Sequence, residues 1–388
     1  MSAPLTPLER FADSGALYEP EREYCEQVYW LWLAELLGPA HPRTGEVVQA
    51  YETARAVYEQ RFQPDKFALV AGAPAARRLA DDAVSLAECE ELLNRCDQMG
   101  IHLLTCADPA YPEALRSVSD LPLVLYCTGQ TEWLNQPHRI GIVGSRRPSQ
   151  YGAEAAAHLG DALAKAGALI VSGLADGLDS EGHKAAVANH APTIAVLGVA
   201  IDKTYPVANG KLRSQLEQNG VVISEYAPGC SIGPNGFLQR NRIIASLSQA
   251  LVVVEARKRS GTMSTVEHAK RYGRPVFAVP GSIFSTLSEG TNELLRAGIA
   301  KPAVDPQDLL ETVGLAAAPV RKKRKSAPAK PVSANAAAVL ARMEARPKGL
   351  SALLGETGLP MGVLLGALTE LELAGLITAQ PGRQYLLK

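Results

Sequence analysis

The chain has 388 residues, 47% hydrophobic and 5% aromatic, with 39 Lys and Arg against 40 Asp and Glu for a formal net charge of -1. That length accommodates two or three domains with real cores, and the charge balance excludes a wholesale polyanion binder while leaving room for a local basic surface. Six cysteines without a C-x-x-C spacing, no apolar run of bilayer length and no signal pattern in "MSAPLTPLERFADSG" argue against a disulfide framework, a metal site and a membrane partner, and for a cytoplasmic protein.

Residues 1–110 read as a helical domain. "REYCEQVYWLWLAELLG" and "SLAECEELLNRCDQMG" carry apolar residues at helical spacing, and Gly100 ends the second helix. "IHLLTC" is a candidate short strand, and "LPLVLYCTG" reads as a buried strand ending on Gly129. Over residues 111–313 short apolar runs alternate with helical segments: "RIGIVG", "ALIVSG", "PTIAVLG", "VVISE", "ALVVVEA" and "PVFAVPG". Strands this apolar are covered on both faces. The rhythm predicts an α/β fold, a doubly wound, mostly parallel sheet, with its ligand at the carboxyl ends of the strands. Residues 314–334 form an Ala/Pro/Lys-rich linker whose basic run at 321–325 reads as a solvated spacer. Residues 335–388 read as three helices and a hairpin, the winged-helix pattern. The third helix carries Met361, Val363, Leu364, Leu365 and Leu368 with almost no base, so protein contact ranks above groove reading.

The loops after the strands carry the chemistry. In "RIGIVGSRRPSQYG" the spacing Gly141-x-x-Gly144 lacks the dinucleotide fingerprint, and no acid closes the next strand to hold a ribose, so no cofactor is expected. Gly144 permits a tight turn. Backbone N–H groups from Ser145 onward are candidates to face an anion, and Arg146 and Arg147 add charge, Arg147 being the weaker candidate. In "SGLADGLDSEGHKAAV", Ser172 and Gly173 permit a second turn and Asp179 is a candidate helix cap. His183 reads as structural, because Val187 stands where a metal partner would lie. "DKTYPVAN" offers Asp202, Tyr205 and Asn209 either as a pocket wall or as a capped turn.

"SEYAPGCSIGPNGFLQRNRIIASLS" gathers Phe237, Arg240, Asn241 and Arg242 at a helix start. Arginine pairs with phosphate and phenylalanine stacks on any base. The alternative is a core Phe237 and one arginine paired with Glu225. After "VVVEA" come Arg257, Lys258 and Arg259, and then Ser260, Gly261 and Thr262 open another helix at an anion-binding turn. Loops one, four and five thus place seven bases along one sheet edge, which points to an extended polyanion ligand.

These segments, in this order from about residue 111 to 313, resemble the DNA-processing protein A family (DprA, also called Smf), together with "FAVPGSIFS" and "GTNELLRAG". The resemblance implies an extended Rossmann-like core in a homodimeric protein, without catalytic activity, that binds single-stranded DNA irrespective of sequence. It further implies protection of incoming strands and loading of the RecA recombinase during natural transformation. The family's basic pocket maps onto Gly144, Ser145, Arg146, Ser172, Gly173, Arg240, Asn241, Arg242, Ser260, Gly261 and Thr262, with Phe237 as the matching stacking aromatic. Residues 1–100 lack the clear helix-hairpin-helix or sterile-alpha-motif-like unit that many members carry, and Asp176 and Gly182 depart from the pattern in loop two. A nucleotide phosphoribohydrolase is the competing reading, resting on the "SGT" turn and the later Glu267; a tail domain that recruits partners is compatible with either.

Overall fold

The computed structural model describes residues 23–315, 332–344, 347–380 and 382–387. Most of the expected linker, with the run at 321–325, lies outside them. The chain divides into two compact units, Met1–Ala317 and Ala318–Lys388.

Among the described residues the first unit opens with six helices: α1 (Glu26–Leu37), α2 (Thr44–Tyr51), α3 (Ala54–Glu59), α4 (Pro64–Ala71), α5 (Ala73–Ala80) and α6 (Leu86–Gln98). α1 is apolar almost all round, so it is buried: Val28, Trp30, Leu31, Trp32 and Leu33 are all at most 3% exposed. The indole N–H of Trp32 donates to the Val84 carbonyl at 3.1 Å. α6 instead carries a stripe, Leu86, Cys89, Leu92 and Cys96, and starts at Ser85, whose hydroxyl accepts from the Ala87 N–H. Gly100, with φ 66°, closes it in the left-handed region.

The sheet follows: β1 (His102–Thr105), a short helix α7 (Glu113–Arg116), β2 (Val124–Gly129), β3 (Arg139–Val143), α8 (Gln150–Lys165), β4 (Leu169–Ser172), α9 (Leu178–Ala188), β5 (Thr193–Leu197), α10 (Gly210–Asn219), β6 (Val221–Ser224), α11 (Asn235–Leu247), β7 (Ala250–Val253), α12 (Thr262–Arg271), β8 (Val276–Ala278), α13 (Glu289–Arg296), β9 (Lys301–Pro302) and α14 (Pro306–Thr312). Its nine strands run in the order β1-β2-β6-β5-β4-β3-β7-β8-β9, with β1–β2 and β2–β6 antiparallel and the rest parallel. All six strand runs read from the sequence are present. Alternation within them feeds two cores: Ile140, Ile142, Ile170 and Val252 pack on one face, Val143, Val171, Leu251 and Val253 on the other. β3 and β7 approach so closely that a Cβ at Gly141 would fall 2.8 Å from Leu251 Cδ1.

The expected break at residue 110 does not separate two bodies. β1 lies before it and pairs with β2 after it, Leu103 opposite Tyr126, and the helices of residues 26–98 share their core with one face of the sheet. A four-residue strand cannot bury its own face, so β1 folds only as the edge of the larger sheet.

The second unit comprises α15 (Ala334–Leu340), β10 (Lys348–Gly349), α16 (Leu350–Thr357), α17 (Met361–Leu373), β11 (Ile377–Gln380) and β12 (Gln384–Leu387), its strands ordered β10-β12-β11. Val339, Leu353, Leu364, Leu368, Leu371 and Ile377 form its core. No single helix among the described residues is long and apolar enough to cross a membrane.

Candidate functional site

Winding reverses between β3 and β7: the chain runs outward from β3 through β4 and β5 to β6, then returns to place β7 on the other side of β3. Ligands of open α/β sheets bind in the crevice outside such a switch point. Here the loops after β3, β4 and β7 and the start of α11 enclose a cavity of about 260 Å³. Of the residues singled out from the sequence, Gly144, Ser145, Arg146, Phe237, Arg240, Asn241, Ser260, Gly261 and Thr262 line it, joined by Arg257 and Asp179.

The loop at 144–149 is held from below by Glu255, which is 1% exposed. The Glu255 carbonyl accepts from the Ser145 N–H at 2.9 Å, and its carboxylate accepts from the N–H and the hydroxyl of Ser149 at 2.9 and 2.5 Å. The Ser145 hydroxyl accepts from the Arg147 N–H at 3.1 Å. The Ser145, Arg147 and Ser149 N–H groups are therefore engaged within the protein, and the Arg146 side chain is this loop's charged contribution to the cavity. A Cβ at Gly144 would lie 2.4 Å from Leu178 Cδ1 and 3.0 Å from the Glu255 carbonyl oxygen, so a side chain there would force its neighbours to shift. The exposed Arg146 guanidinium sits 4.7 Å from the Phe237 ring centroid, a cation–π distance, and Tyr205 packs on that same ring at 5.2 Å. Phe237 is half-buried at the mouth rather than a core residue. Arg147 is exposed and does not line the cavity.

Arg240 forms the floor and is 3% exposed. Its guanidinium donates to the Gly173 carbonyl at 2.7 Å and to the Val196 carbonyl, and its Nε has no partner among the described residues. Burial pulls its pKa down to about 10, opposed by the nearby Asp179 carboxylate, so it stays charged at neutral pH. Burial pushes the Asp179 carboxyl up, opposed by Arg240 and by the Gly173 N–H, which donates to it at 3.2 Å. Asp179 thus lies inside the first turn of α9 and binds loop two rather than capping the helix. Ser172 and Gly173 stand beneath the floor: the Ser172 hydroxyl donates to the Ile142 carbonyl at 2.6 Å, and a Cβ at Gly173 would collide with the Arg240 guanidinium.

Arg242 departs from the expected basic track. Two residues beyond Arg240 on α11, it faces away from the cavity, because i and i+2 do not share a helix face. It is 3% exposed and paired with Glu225, which also accepts from the Ala40 N–H at 3.2 Å. Asn241 lines the cavity and anchors its far wall, donating to the Gly261 carbonyl at 3.2 Å and the Ser264 hydroxyl at 2.8 Å at the start of α12. Thr262 donates to the Gly144 carbonyl at 3.2 Å, and the buried Ser260 hydroxyl has no partner among the described residues. The positive end of α12 adds to Arg146, Arg240 and Arg257, so the cavity suits a phosphate or another anion.

His183 is fully buried with Nδ1 2.8 Å from the Thr193 hydroxyl, and burial pulls its pKa down to about 3, which leaves it neutral. Asn209 donates to the Leu174 carbonyl and the Ser180 hydroxyl, both at 2.9 Å, so it ties loop three to loop two instead of capping α10. Glu267 is exposed, paired with Lys270 and outside the cavity. Asp176 is exposed and also outside it. No group of three or more His, Cys, Asp or Glu suited to a metal occurs among the described residues. Sequence reasoning missed Glu255 and Leu238, the latter 48% exposed at the cavity wall. An acid directly after an apolar strand, "VVVEA", was the available signal for Glu255.

Comparison with known proteins gives the following. Residues 102–314 match the family model of DNA recombination-mediator protein A, and residues 323–383 match that of the DprA winged helix domain. The Protein Smf of Synechocystis is 30% identical over 328 residues, 76% of this chain and 82% of that one. The X-ray structure of DNA processing protein A from Streptococcus pneumoniae superposes with a TM-score of 0.63 at 33% identity, covering 73% of this chain and 97% of that one. DNA processing protein A from Helicobacter pylori, solved for its single-stranded DNA binding mode, gives a TM-score of 0.50 at 34% identity over 54% of this chain and 95% of its own.

Proposed function

The chain belongs to the DNA recombination-mediator protein A family, and from that premise we propose that it binds single-stranded DNA, irrespective of sequence, along the carboxyl edge of its sheet. One observation carries the reading: Arg146, Arg240 and the start of α12 converge on a cavity whose mouth holds Phe237. Cations take phosphate, and an aromatic at the mouth takes a base of any identity. The likeness to the Helicobacter pylori protein supports the same reading. The site residues are Gly144, Arg146, Phe237, Arg240, Asn241, Ser260, Gly261 and Thr262, with Ser145, Ser172 and Gly173 supporting them from behind and Arg147 flanking them. Arg242 acts in the fold instead. The wider role proposed is a cytoplasmic one: a homodimer that protects incoming strands and loads the RecA recombinase during natural transformation, with binding rather than turnover as its activity.

The hydrolase alternative has one feature in its favour, the Asp179 carboxyl on the cavity wall. That group is engaged by the Gly173 N–H, and Glu267, the acid the sequence offered, lies elsewhere. A salt series on single- and double-stranded oligonucleotides tests the main reading. The expected log–log slope is about -0.7 for each phosphate neutralised on a single strand. No binding to single strands, with steady release of base from nucleoside monophosphates, would reverse the two readings.

A further inference from the structure

The loop between β8 and α13 presents the most exposed aromatic side chain among the described residues of the sheet unit. Phe284 is 92% exposed, and Ile283 beside it 83%. In a chain of six phenylalanines this placement needs a reason, since an apolar ring held in water forgoes the stabilisation of burial. The loop that carries it is tied at its base and through its turns. Gly281 and Asn292 exchange two hydrogen bonds, at 3.1 and 3.0 Å, and the Ser285 and Ser288 N–H groups close successive turns onto Ser282 and Ser285 at 3.0 Å. A Cβ at Gly281 would meet the Ser288 hydroxyl at 2.1 Å, so the loop is packed at its base.

It also abuts the cavity wall. β8 lies next to β7, so the loop leaves the same carboxyl edge. The Gly290 N–H donates to the Ala256 carbonyl at 2.8 Å, one residue from Arg257. On the other flank, Tyr151 is 51% exposed and its hydroxyl donates to the Pro280 carbonyl at 2.7 Å, two residues from Ser149 of the arginine loop. Exposed Arg257, Lys258 and Arg259 come from the β7 loop of the same edge. Bases interleaved with aromatics along a sheet edge are what a single strand requires outside its principal pocket: cations for the backbone and ring faces for unpaired bases.

We propose that Phe284, with Tyr151, forms a second base-stacking station that continues the single-strand track beyond the cavity, past Arg257. This rests on the single-strand reading of the cavity and extends it: the cavity holds one end of a bound segment, and the β8 loop holds nucleotides further along. Sequence independence follows, since every base has a stackable face.

Oligonucleotide length separates the two. With an oligothymidylate of about 20 nucleotides, Phe284→Ala weakens binding roughly fivefold to tenfold, whereas with one of about 5 nucleotides, too short to span both stations, it binds like the parent. Phe284→Trp retains full affinity for the long strand, and its indole fluorescence is quenched on binding. Because Phe284 touches little, neither variant moves Tm. Equal affinity of Phe284→Ala and parent for the long strand, while Arg146→Ala is weakened, overturns the second station and leaves the cavity reading intact. A parent that binds neither length overturns the cavity reading itself. A Phe284→Ala variant that changes oligomeric state but not long-strand affinity reassigns the loop to contact between copies and overturns the station too.

Discussion

The carboxyl edge of the sheet and helix α17 of the C-terminal unit both belong to architectures that hold nucleic acid elsewhere, and they offer different surfaces. The edge gathers Arg146, Arg240 and Arg257 around one cavity. Helix α17 has no lysine or arginine; it exposes Met361, Val363, Leu365 and Leu373 and carries Glu370 and Glu372. The lesson is that architecture does not carry function here. Side-chain chemistry does, and it favours the proposed nucleic-acid site on the sheet over one on the winged unit.

The sharpest test of the edge uses two arginines of one helix. Arg240→Ala removes a cavity charge and leaves the Gly173 and Val196 carbonyls unmet, which lowers single-strand affinity by about tenfold to a hundredfold and stability by about 2–4 kcal/mol. Arg242→Ala strands the buried Glu225, so its stability loss is at least as large, about 3–5 kcal/mol. Its folded fraction nonetheless binds oligonucleotides like the parent. Denaturation midpoints alongside affinities measured well below them separate the two; equal losses of affinity would erase the distinction between the faces of α11.

Acid sharpens the contrast between the units from another side. The unfolded chain binds a proton at His183 near its ordinary pKa of 6.5, whereas the folded state resists it until about 3. The stabilising contribution is complete above about pH 6.5 and declines as pH falls, with a slope of up to about 1.4 kcal/mol per pH unit. Residues 335–388 contain no histidine. Melting between pH 7 and 4.5 therefore lowers the transition of the sheet unit through this group, and His183→Gln flattens that dependence. A variant as acid-sensitive as the parent would remove His183 as the cause.

Much of the sheet was legible because two-sided burial leaves little choice of residue: each of the six runs is apolar at nearly every position. The edge loops were legible as a set because glycines, arginines and helix starts recur after strands. Direction within a loop was not. Arg240 and Arg242 differ by two positions and lie on different faces, and only tertiary packing says which one meets Glu225. The Ser145 N–H is consumed by Glu255, a residue 110 positions away in sequence. The break expected at residue 110 fails for the same reason, since β1 finds its partner beyond it.

Arg146 is the next lever on the edge. Being exposed, it costs little stability to remove, and Arg146→Ala weakens all single strands alike by about tenfold while flattening the salt slope by about 0.7. Weakening confined to particular sequences would mean that Arg146 reads bases rather than backbone.

The smallest effect belongs to the winged unit. Its core, built on Val339, Leu353, Leu364 and Leu371, is its own, so a chain ending near residue 331 removes it while keeping the sheet unit and the basic run at 321–325. Since α17 brings no cation to a phosphate, single-strand affinity of that shorter chain stays within about twofold of the parent, and the salt slope is unchanged. If the proposed recombinase loading uses the exposed Met361, Val363 and Leu365 face, the shorter chain loses stimulation of that loading at equal DNA occupancy. A salt slope flattened by one phosphate or more would place DNA on cations of the second unit outside α17, such as Arg342, Lys348 or Arg383, and the contrast would then have to be drawn within that unit rather than between it and the sheet.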